Sequence, residues 1–500
     1  MTATAPGPGL GSRAARGGVL TLTGQAFRFL IQAAALVVLA RLLSPDDFGM
    51  VAMVLVIVGI GELVRDFGLS NAAVQTPSLS RAERDNLFWL SLLLGAVLAL
   101  AVLALAPLVA ALYGQPELRQ VTRWLAITFV LNGFAAQFRA GLTRDLRFGA
   151  AAVVEVAGPL AGLSTAILMA VGGWGYWALV GQELVKALVL SVGLVVAARW
   201  WPGPPRRGTS VRSFVRYGGY LMGTQILGYT SRNIDTLVVG ARFGAAVTGL
   251  YSRAYQLMAL PVTQLSYPTT RVALPVLSRL NDDPDRYRTY LLRGQLLLLH
   301  AVVPLFVLTG VLAEPVIRVV LGAQWDEAVP IFQVLAIGGV FDGAALATMW
   351  VFLSTGRTRA QLFLALTTRP LMIVAVLVGS HWGVVGVAAG YAVSTALCWP
   401  VGLVWIARVT TAPARDLFWN GARAIAVHGC AGALVWWTLG RTNLPDPVVL
   451  GLGVLVMAAW FALTCCVWPR LRRDARELWA TRRQLARVAR PATTRSVVSP

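Results

Sequence analysis

Thirteen ionisable side chains stand inside stretches that are otherwise apolar: Arg28, Glu62, Arg65, Asp66, Glu155, Glu183, Lys186, Arg232, Asp235, Arg253, Arg271, Asp342 and Arg369. At membrane depth such groups face a bundle interior or a water-filled cavity. Guanidinium groups bind diphosphate well through a planar fork of donors. Arg28, Arg232, Arg253 and Arg271, with Lys186, the only lysine in the chain, are therefore the candidate lining of a cavity for an anionic, lipid-attached substrate. Several charges can also be neutralised locally, because residues three or four apart share a helix face. Glu62 can reach Arg65 with Asp66 one position beyond, Glu183 can reach Lys186, and Arg232 can reach Asp235. For these pairs a structural and a functional reading both stand. Arg28, Arg253 and Arg271 have no acid at helical spacing. Arg271 can snorkel from near a helix end. Arg28, about 13 Å into its apolar run at 1.5 Å per residue, is too deep for that and must meet a cavity or a partner.

Enzyme signatures are missing. His300, His381 and His428 are scattered with no metal-ligand spacing, and no P-loop, GxSxG or DxD motif is present. Cys398, Cys430, Cys465 and Cys466 show no CxxC or Cys/His pattern, so neither a disulfide framework nor a zinc site is expected, and no cofactor. The richest outer loop, EPVIRVVLGAQWDE (314–327), sets its acids on either side of a hydrophobic turn.

The elements that must position these groups are membrane helices. The chain of 500 residues is 57% apolar and 13% charged with a mean hydropathy of +0.68, against about 25% charged in a water-soluble globule. A bilayer core about 30 Å thick takes about 20 apolar residues per helix. That length gives fourteen spans, near 19–43, 48–68, 87–112, 121–141, 150–171, 174–198, 217–240, 247–277, 291–312, 329–354, 359–380, 383–407, 420–439 and 448–468. The first is too long for a signal-peptide core and is expected to stay uncleaved. The eighth, holding Pro261, Pro268 and Pro275, is longer than one crossing needs and is expected to kink or to run partly along the interface. The net charge of +21 follows topology rather than nucleic acid, which is not an expected partner. Arginines crowd alternate loops, from Arg81 and Arg84 to Arg408 and Arg415, which places both termini in the cytoplasm. Pro469 to Arg490 reads as a basic amphipathic helix on anionic headgroups.

A faint repeat divides the chain. VVLAR (37–41) followed by Gly49 is echoed by VVGAR (238–242) followed by Gly249, and GLTRDLRF (141–148) by STGRTRAQ (354–361). The expected organisation is a cytoplasmic segment 1–18, an N-lobe 19–198 of six helices, a cytoplasmic linker 199–216, a C-lobe 217–407 of six helices, two extra helices over 420–468 and a basic tail 469–500. Repeats of this kind are common in transporters, with the binding site between halves.

The stretches ARLLSPDDFGMVAM (40–53), DFGLSNAAVQ (66–75), GWGYWALVGQ (173–182), RNIDTLVVGARFGAAVTGLYSRAYQL (232–257), PVLSRL (275–280) and LGAQW (321–325) occur in family order. Through them the chain resembles the polysaccharide-exporter family of WzxC-like lipopolysaccharide and exopolysaccharide biosynthesis proteins. That family lies within the multidrug/oligosaccharidyl-lipid/polysaccharide flippase superfamily. The resemblance covers about 20–410. It implies an all-α integral membrane protein of the bacterial cytoplasmic membrane, with two six-helix lobes around a central cavity. It also implies an alternating-access flippase, not an enzyme, carrying a polyprenyl-diphosphate-linked oligosaccharide to the outer leaflet, alongside polysaccharide polymerase and glycosyltransferases. Coupling to an H+ or Na+ gradient is implied as well, with Asp235, Glu62, Asp66, Glu155 and Asp342 as candidate ion sites. A lipid II flippase or cation exporter of the same superfamily is the near alternative. A membrane glycosyltransferase or polymerase, the distant one, needs a large polar outer loop that the chain lacks.

Overall fold

The computed structural model describes residues 8–66, 80–205, 212–442 and 444–473, all helical apart from short connections, with no strand among them. The helices are α1 (Pro8–Leu42), α2 (Pro45–Asp66), α3 (Arg81–Tyr113), α4 (Leu118–Arg144), α5 (Phe148–Val171) and α6 (Trp177–Ala198). The segment Arg212–Arg279 follows and holds two helices that meet at Gly244, α7 over 212–243 and α8 over 245–279. Then come α9 (Pro284–Val311), α10 (Ala313–Val320), a 3-10 turn at Ala323–Ala328, α11 (Val329–Ser354), α12 (Thr358–Gly379), α13 (Gly383–Val409), α14 (Ala414–Leu439) and α15 (Asp446–Val467). Each of the fourteen expected spans overlaps one of α1–α9 or α11–α15, and the protein is an all-α, multi-pass membrane protein. The connection between α9 and α11 carries more structure than its sequence suggests, namely α10 and the 3-10 turn.

Pro261, Pro268 and Pro275 lie within helical backbone, and the residue with non-helical torsions inside 212–279 is Gly244, with φ 81° and ψ −177°. That combination is open to glycine and almost closed to other residues. Proline is tolerated inside membrane helices because neighbouring groups satisfy the freed carbonyl, as at Pro107, Pro159, Pro304, Pro370 and Pro400.

The chain packs as two units. The first takes Met1–Arg253 together with Val320–Ala328 and Val376–Val387, and the second takes Ala254–Val319, Val329–Ala375 and Ala388–Pro500. In the first unit α3 and α4 approach closely through Gly95 and Gly133, where an added Cβ on Gly133 would lie 2.8 Å from the Ser91 carbonyl. Small residues at such crossings let backbones touch where the hydrophobic effect gives no drive between helices. Phe88, Phe138, Leu142 and Leu194 fill the core beside them, with Trp200 from the chain after α6 edge-on to Phe138 at 5.2 Å. In the second unit Ala431 and Val435 of α14 and Val449 and Met457 of α15 close around Leu312 at the end of α9.

The loop from α1 to α2 shows how the quoted motifs fold. Ser44 and Asp47 cap α2 reciprocally: the Ser44 amide donates to Asp47 Oδ2 at 2.9 Å and the Asp47 amide to Ser44 Oγ at 3.2 Å. The Ser44 amide would otherwise close the last helical turn onto the Ala40 carbonyl, four residues back. That carbonyl, on a residue with no exposed surface, is taken instead by two side chains of the LGAQW stretch, Gln324 Nε2 and the Trp325 indole N–H, the latter at 2.8 Å. Gln324 also donates to the Leu43 carbonyl at 3.2 Å. Trp325 has no exposed surface and meets the Phe48 ring edge-on at 5.5 Å.

The repeat has a structural counterpart here too. An added Cβ on Gly49 would collide with the Ala245 carbonyl and lie 2.9 Å from the Gly249 nitrogen. One on Gly249 would collide with the Pro45 carbonyl and lie 3.1 Å from the Gly49 nitrogen. The contact is reciprocal, as two copies of a repeat related by a two-fold would make it.

Candidate functional site

Three polar clusters stand within the helices of the first unit. Between α2 and α4, Glu62, Arg65 and Asn132 close a ring. Arg65 Nε donates to Glu62 Oε2 at 2.8 Å, Asn132 Nδ2 to Glu62 Oε1 at 2.9 Å, and an Arg65 Nη to the Asn132 carbonyl at 3.2 Å. Both carboxylate oxygens are thereby engaged. Between α1 and α5, Arg28 donates to Glu155 at 2.9 Å. Its partner is an acid 127 positions away that no helical spacing could name. On α6, Lys186 pairs with Glu183, as the three-residue spacing allows.

Asp235 is 1% exposed, and the pairing with Arg232 that the spacing allows does not form: Arg232 is exposed and Asp235 is engaged elsewhere. Its Oδ2 accepts from the Tyr251 hydroxyl at 2.7 Å and its Oδ1 from the Thr236 amide at 2.7 Å. Sixteen residues of unbroken helix would hold Tyr251 about 24 Å from Asp235. The break at Gly244 lets the first turns of α8 fold back onto α7, which makes the contact. A short carboxylate committed to a donor on the neighbouring helix has no reach left for an arginine on its own.

Arg253, one turn along α8 from Gly249, lays its guanidinium 4.3 Å from the centre of the Phe48 ring. Its Nε is buried without a hydrogen-bond partner among the described residues. A stacked guanidinium of this kind keeps its edge donors for a ligand.

In the second unit α11, α12 and α13 line a cleft of about 280 Å³ that holds Asp342, Arg369, Gln361, Thr348, Thr368 and Thr395. Asp342 accepts from the Tyr391 hydroxyl of α13. Asp342 and Arg369 sit near the middle of their helices, so an acid, a base and several hydroxyls share one pocket at membrane depth.

Asp66 closes α2, but its side chain, like that of Arg271, lies outside the described residues, as does the basic tail beyond Arg473. Of the groups singled out in the sequence, the structure joins Glu62 to Arg65, Glu183 to Lys186 and Arg28 to Glu155, and it separates Arg232 from Asp235. Sequence reasoning missed Asn132, Tyr251 and Tyr391, because an amide or phenol in an apolar run reads as core.

Residues 38–330, more than half of the chain, match the family described as polysaccharide biosynthesis protein. The chain belongs to that family. Similar to this polysaccharide biosynthesis protein is the lipopolysaccharide biosynthesis protein WzxC of Escherichia coli strain K12, 27% identical over 363 residues, which cover 71% of this chain and 73% of WzxC. The succinoglycan biosynthesis transport protein ExoT of Rhizobium meliloti strain 1021 is 27% identical over 319 residues, covering 64% of each chain. The teichuronic acid biosynthesis protein TuaB of Bacillus subtilis strain 168 is 26% identical over 303 residues, covering 59% of this chain and 62% of TuaB. The chain thus spans just under two thirds of ExoT and TuaB. Among solved structures, the lipid II flippase MurJ in an inward closed conformation superposes with a TM-score of 0.71 at 13% identity, covering 89% of this chain and 98% of MurJ. An inward-facing multidrug resistance MATE family transporter gives 0.58 at 14%, covering 82% of this chain and 98% of its own. At these identities the likeness is one of fold. The family match takes in Glu62, Glu155, Lys186, Arg232, Asp235 and Arg253, while Arg28 precedes it and Asp342 follows it.

Proposed function

We propose that this family member is a flippase of the bacterial cytoplasmic membrane that carries a polyprenyl-diphosphate-linked oligosaccharide from the cytoplasmic to the outer leaflet by alternating access. The observation that carries the reading is the combination of membership in a polysaccharide biosynthesis family with the fold of MurJ and the MATE transporters. No bond in the substrate is made or broken, so the polar work is recognition of a diphosphate and control of charge inside the bilayer. The lipid tail keeps its own solvent throughout.

Within the candidate set the pairings favour Arg232 and Arg253 as diphosphate ligands. Arg28 and Lys186 already hold carboxylates, whereas Arg232 is exposed and Arg253 keeps an unpartnered nitrogen. Arg271 remains in the set on sequence alone. The same reasoning ranks the acids. Glu62 and Glu155 are tied to arginines, while Asp235 is held by neutral hydroxyl and amide donors. An ionised carboxylate with no cationic partner is costly at this depth, so Asp235 is the favoured place for a proton or Na+ to bind, with Asp342 second and Asp66 open. Both termini face the cytoplasm, where glycosyltransferases make the substrate, and a polymerase consumes it on the far side.

Purified protein in proteoliposomes tests the reading, with a radiolabelled polyprenyl-diphosphate oligosaccharide whose exposure to an impermeant glycosidase is followed in time. Protein-dependent exposure is expected, with the R232A/R253A double variant losing at least about 90% of the rate. Equal exposure in protein-free liposomes would refute the flippase. An unimpaired double variant would refute the diphosphate site alone. Cysteine labelling at Arg207 from inside only is expected, and labelling from outside would reverse the assigned direction.

A further inference from the structure

Outside the groups considered so far, two of the chain's three histidines come together at membrane depth. His300 of α9 and His428 of α14 are 128 positions apart, yet His300 Nδ1 and His428 Nε2 lie 2.9 Å from each other. His428 is 4% exposed. Phe461 of α15 covers the pair, stacked on His428 at 5.6 Å and 18°, and 5.3 Å from the His300 ring. The site sits where α14 and α15, which lie beyond the family match, join α9.

The geometry is selective. A nitrogen pair at that distance needs one N–H between the rings, so the two imidazoles cannot both be cations. In either tautomer the outer nitrogens, His300 Nε2 and His428 Nδ1, are one donor and one acceptor, and both are buried without a partner among the described residues. A dyad kept only as an adhesive would gain nothing from leaving these two ends open, since each unsatisfied buried group costs free energy. An open acceptor joined by a hydrogen bond to an open donor is what a proton carrier needs. No third His, Cys, Asp or Glu converges with them among the described residues, which leaves the pair short of a metal site.

We infer that His300 and His428 form a proton-binding site, a dyad that takes one proton from hydronium onto its open acceptor nitrogen and holds the resulting single charge across the shared hydrogen bond. In the tautomer where His428 Nε2–H donates to His300 Nδ1, the proton adds at His428 Nδ1. The shared proton then shifts to His300, and His300 Nε2 can return a proton to water, so charge and atoms balance. Phe461 presents its ring face to the cation that forms.

The charges nearest in sequence to the pair along the packed helices are Arg293 on α9, two turns before His300, and Arg423 on α14, hydrogen-bonded to Asn420 at 3.1 Å; α11 adds Asp342, engaged by Tyr391, and the first turns of α9 and α14 carry Asp285, Arg286, Arg288, Arg415 and Asp416. Cys465 lies one turn past Phe461, and α15 carries no charge between Asp446 and Val467. The arginines oppose protonation and the ring favours it. Uptake therefore belongs to a state in which water reaches the open nitrogens.

The role of this site in driving transport rests on the flippase reading, but the site itself does not. With only three histidines, selectively 15N-His-labelled full-length protein in nanodiscs gives assignable imidazole signals. Between pH 8 and pH 4.5 a coupled two-ring titration taking up one proton is expected, lost in both H300Q and H428Q while His381 is unchanged. Independent titration of the two rings, or none in any variant, would overturn the site. In proteoliposomes with an imposed pH gradient, H300Q and H428Q are expected to lose at least about tenfold of gradient-driven flipping while keeping flipping without a gradient. If the wild type flips nothing, the flippase reading fails and the titration still decides the dyad. If the variants keep full gradient response, the dyad's transport role is overturned even where it titrates. Thermal midpoints of H300Q, H428Q and the aromatic, non-titrating H428F confirm that a folded protein is compared.

Discussion

The Ala40 carbonyl offers the sharpest quantitative test. Its helical donor, the Ser44 amide, is diverted to Asp47, and two side chains replace it: Gln324 Nε2 and Trp325 Nε1. Trp325→Phe removes one donor and Gln324→Met the other. After either single change the buried oxygen still has a partner, so Trp325→Phe loses one hydrogen bond and Gln324→Met loses two, counting its bond to the Leu43 carbonyl, at about 0.5–1.5 kcal/mol each, plus whatever packing the new side chain gives up. After both changes the oxygen is stranded, which adds the desolvation cost of an orphaned buried acceptor, about 1–3 kcal/mol. The packing losses and the Leu43 bond cancel in the cycle, and a coupling of about 1–3 kcal/mol remains. Equilibrium unfolding of the four proteins in mixed micelles titrated with SDS, followed by helical circular dichroism, measures it. Additivity within about 0.5 kcal/mol, the tolerance expected for independent sites, would refute the shared cap.

Other consequences can be checked with less. Gly249→Ala would set a Cβ 2.7 Å from the Pro45 carbonyl carbon, so α2 and α8 must move apart; a loss above about 3 kcal/mol and poor expression are expected, since backbone cannot yield as a side chain does. Arg28→Ala strands Glu155; because the Arg28 side chain is 39% exposed, the cost should fall below the about 3–5 kcal/mol of a fully buried pair. The R28E/E155R exchange should recover most of it, and a thermal melt that shows no recovery would argue for a separate role of Arg28. Asp235→Asn is expected to abolish the response of flipping to a proton or Na+ gradient while leaving glycan binding intact, and an unchanged response would remove the coupling role from Asp235.

Hydropathy made the helices legible because each crossing needs its own length of apolar chain. Charges one turn apart were legible where nothing competed, as at Glu62 with Arg65 and Glu183 with Lys186. Spacing identified which side chains could meet, yet Asp235 shows that it does not identify the winner when a neighbouring helix supplies a better donor. The break at Gly244 was not legible, because one glycine among many in an apolar run carries no signal of its own. Partners brought by distant helices, such as Glu155 for Arg28, Tyr391 for Asp342 and His428 for His300, leave no local mark in the chain. The echo of Gly49 in Gly249 was visible, but the reason, that the two nitrogens approach each other's added Cβ within 2.9 and 3.1 Å, belongs to three dimensions.

The segments Val320–Ala328 and Val376–Val387 belong to the same unit as Met1–Arg253. This has a bearing on biosynthesis. A ribosome that has released Arg253 into the membrane has made most of the first unit, but not Trp325, which caps α1, nor Ser380, whose hydroxyl accepts from Arg242 at 2.6 Å. At about 5–20 residues per second the nascent protein waits on the order of ten seconds for those pieces. During that interval the Ala40 carbonyl lacks both of its side-chain donors and the Phe48 ring lacks its Trp325 neighbour. A truncation ending between α8 and α9 should therefore be recognised by quality-control proteases, even though its helices are all of spanning length.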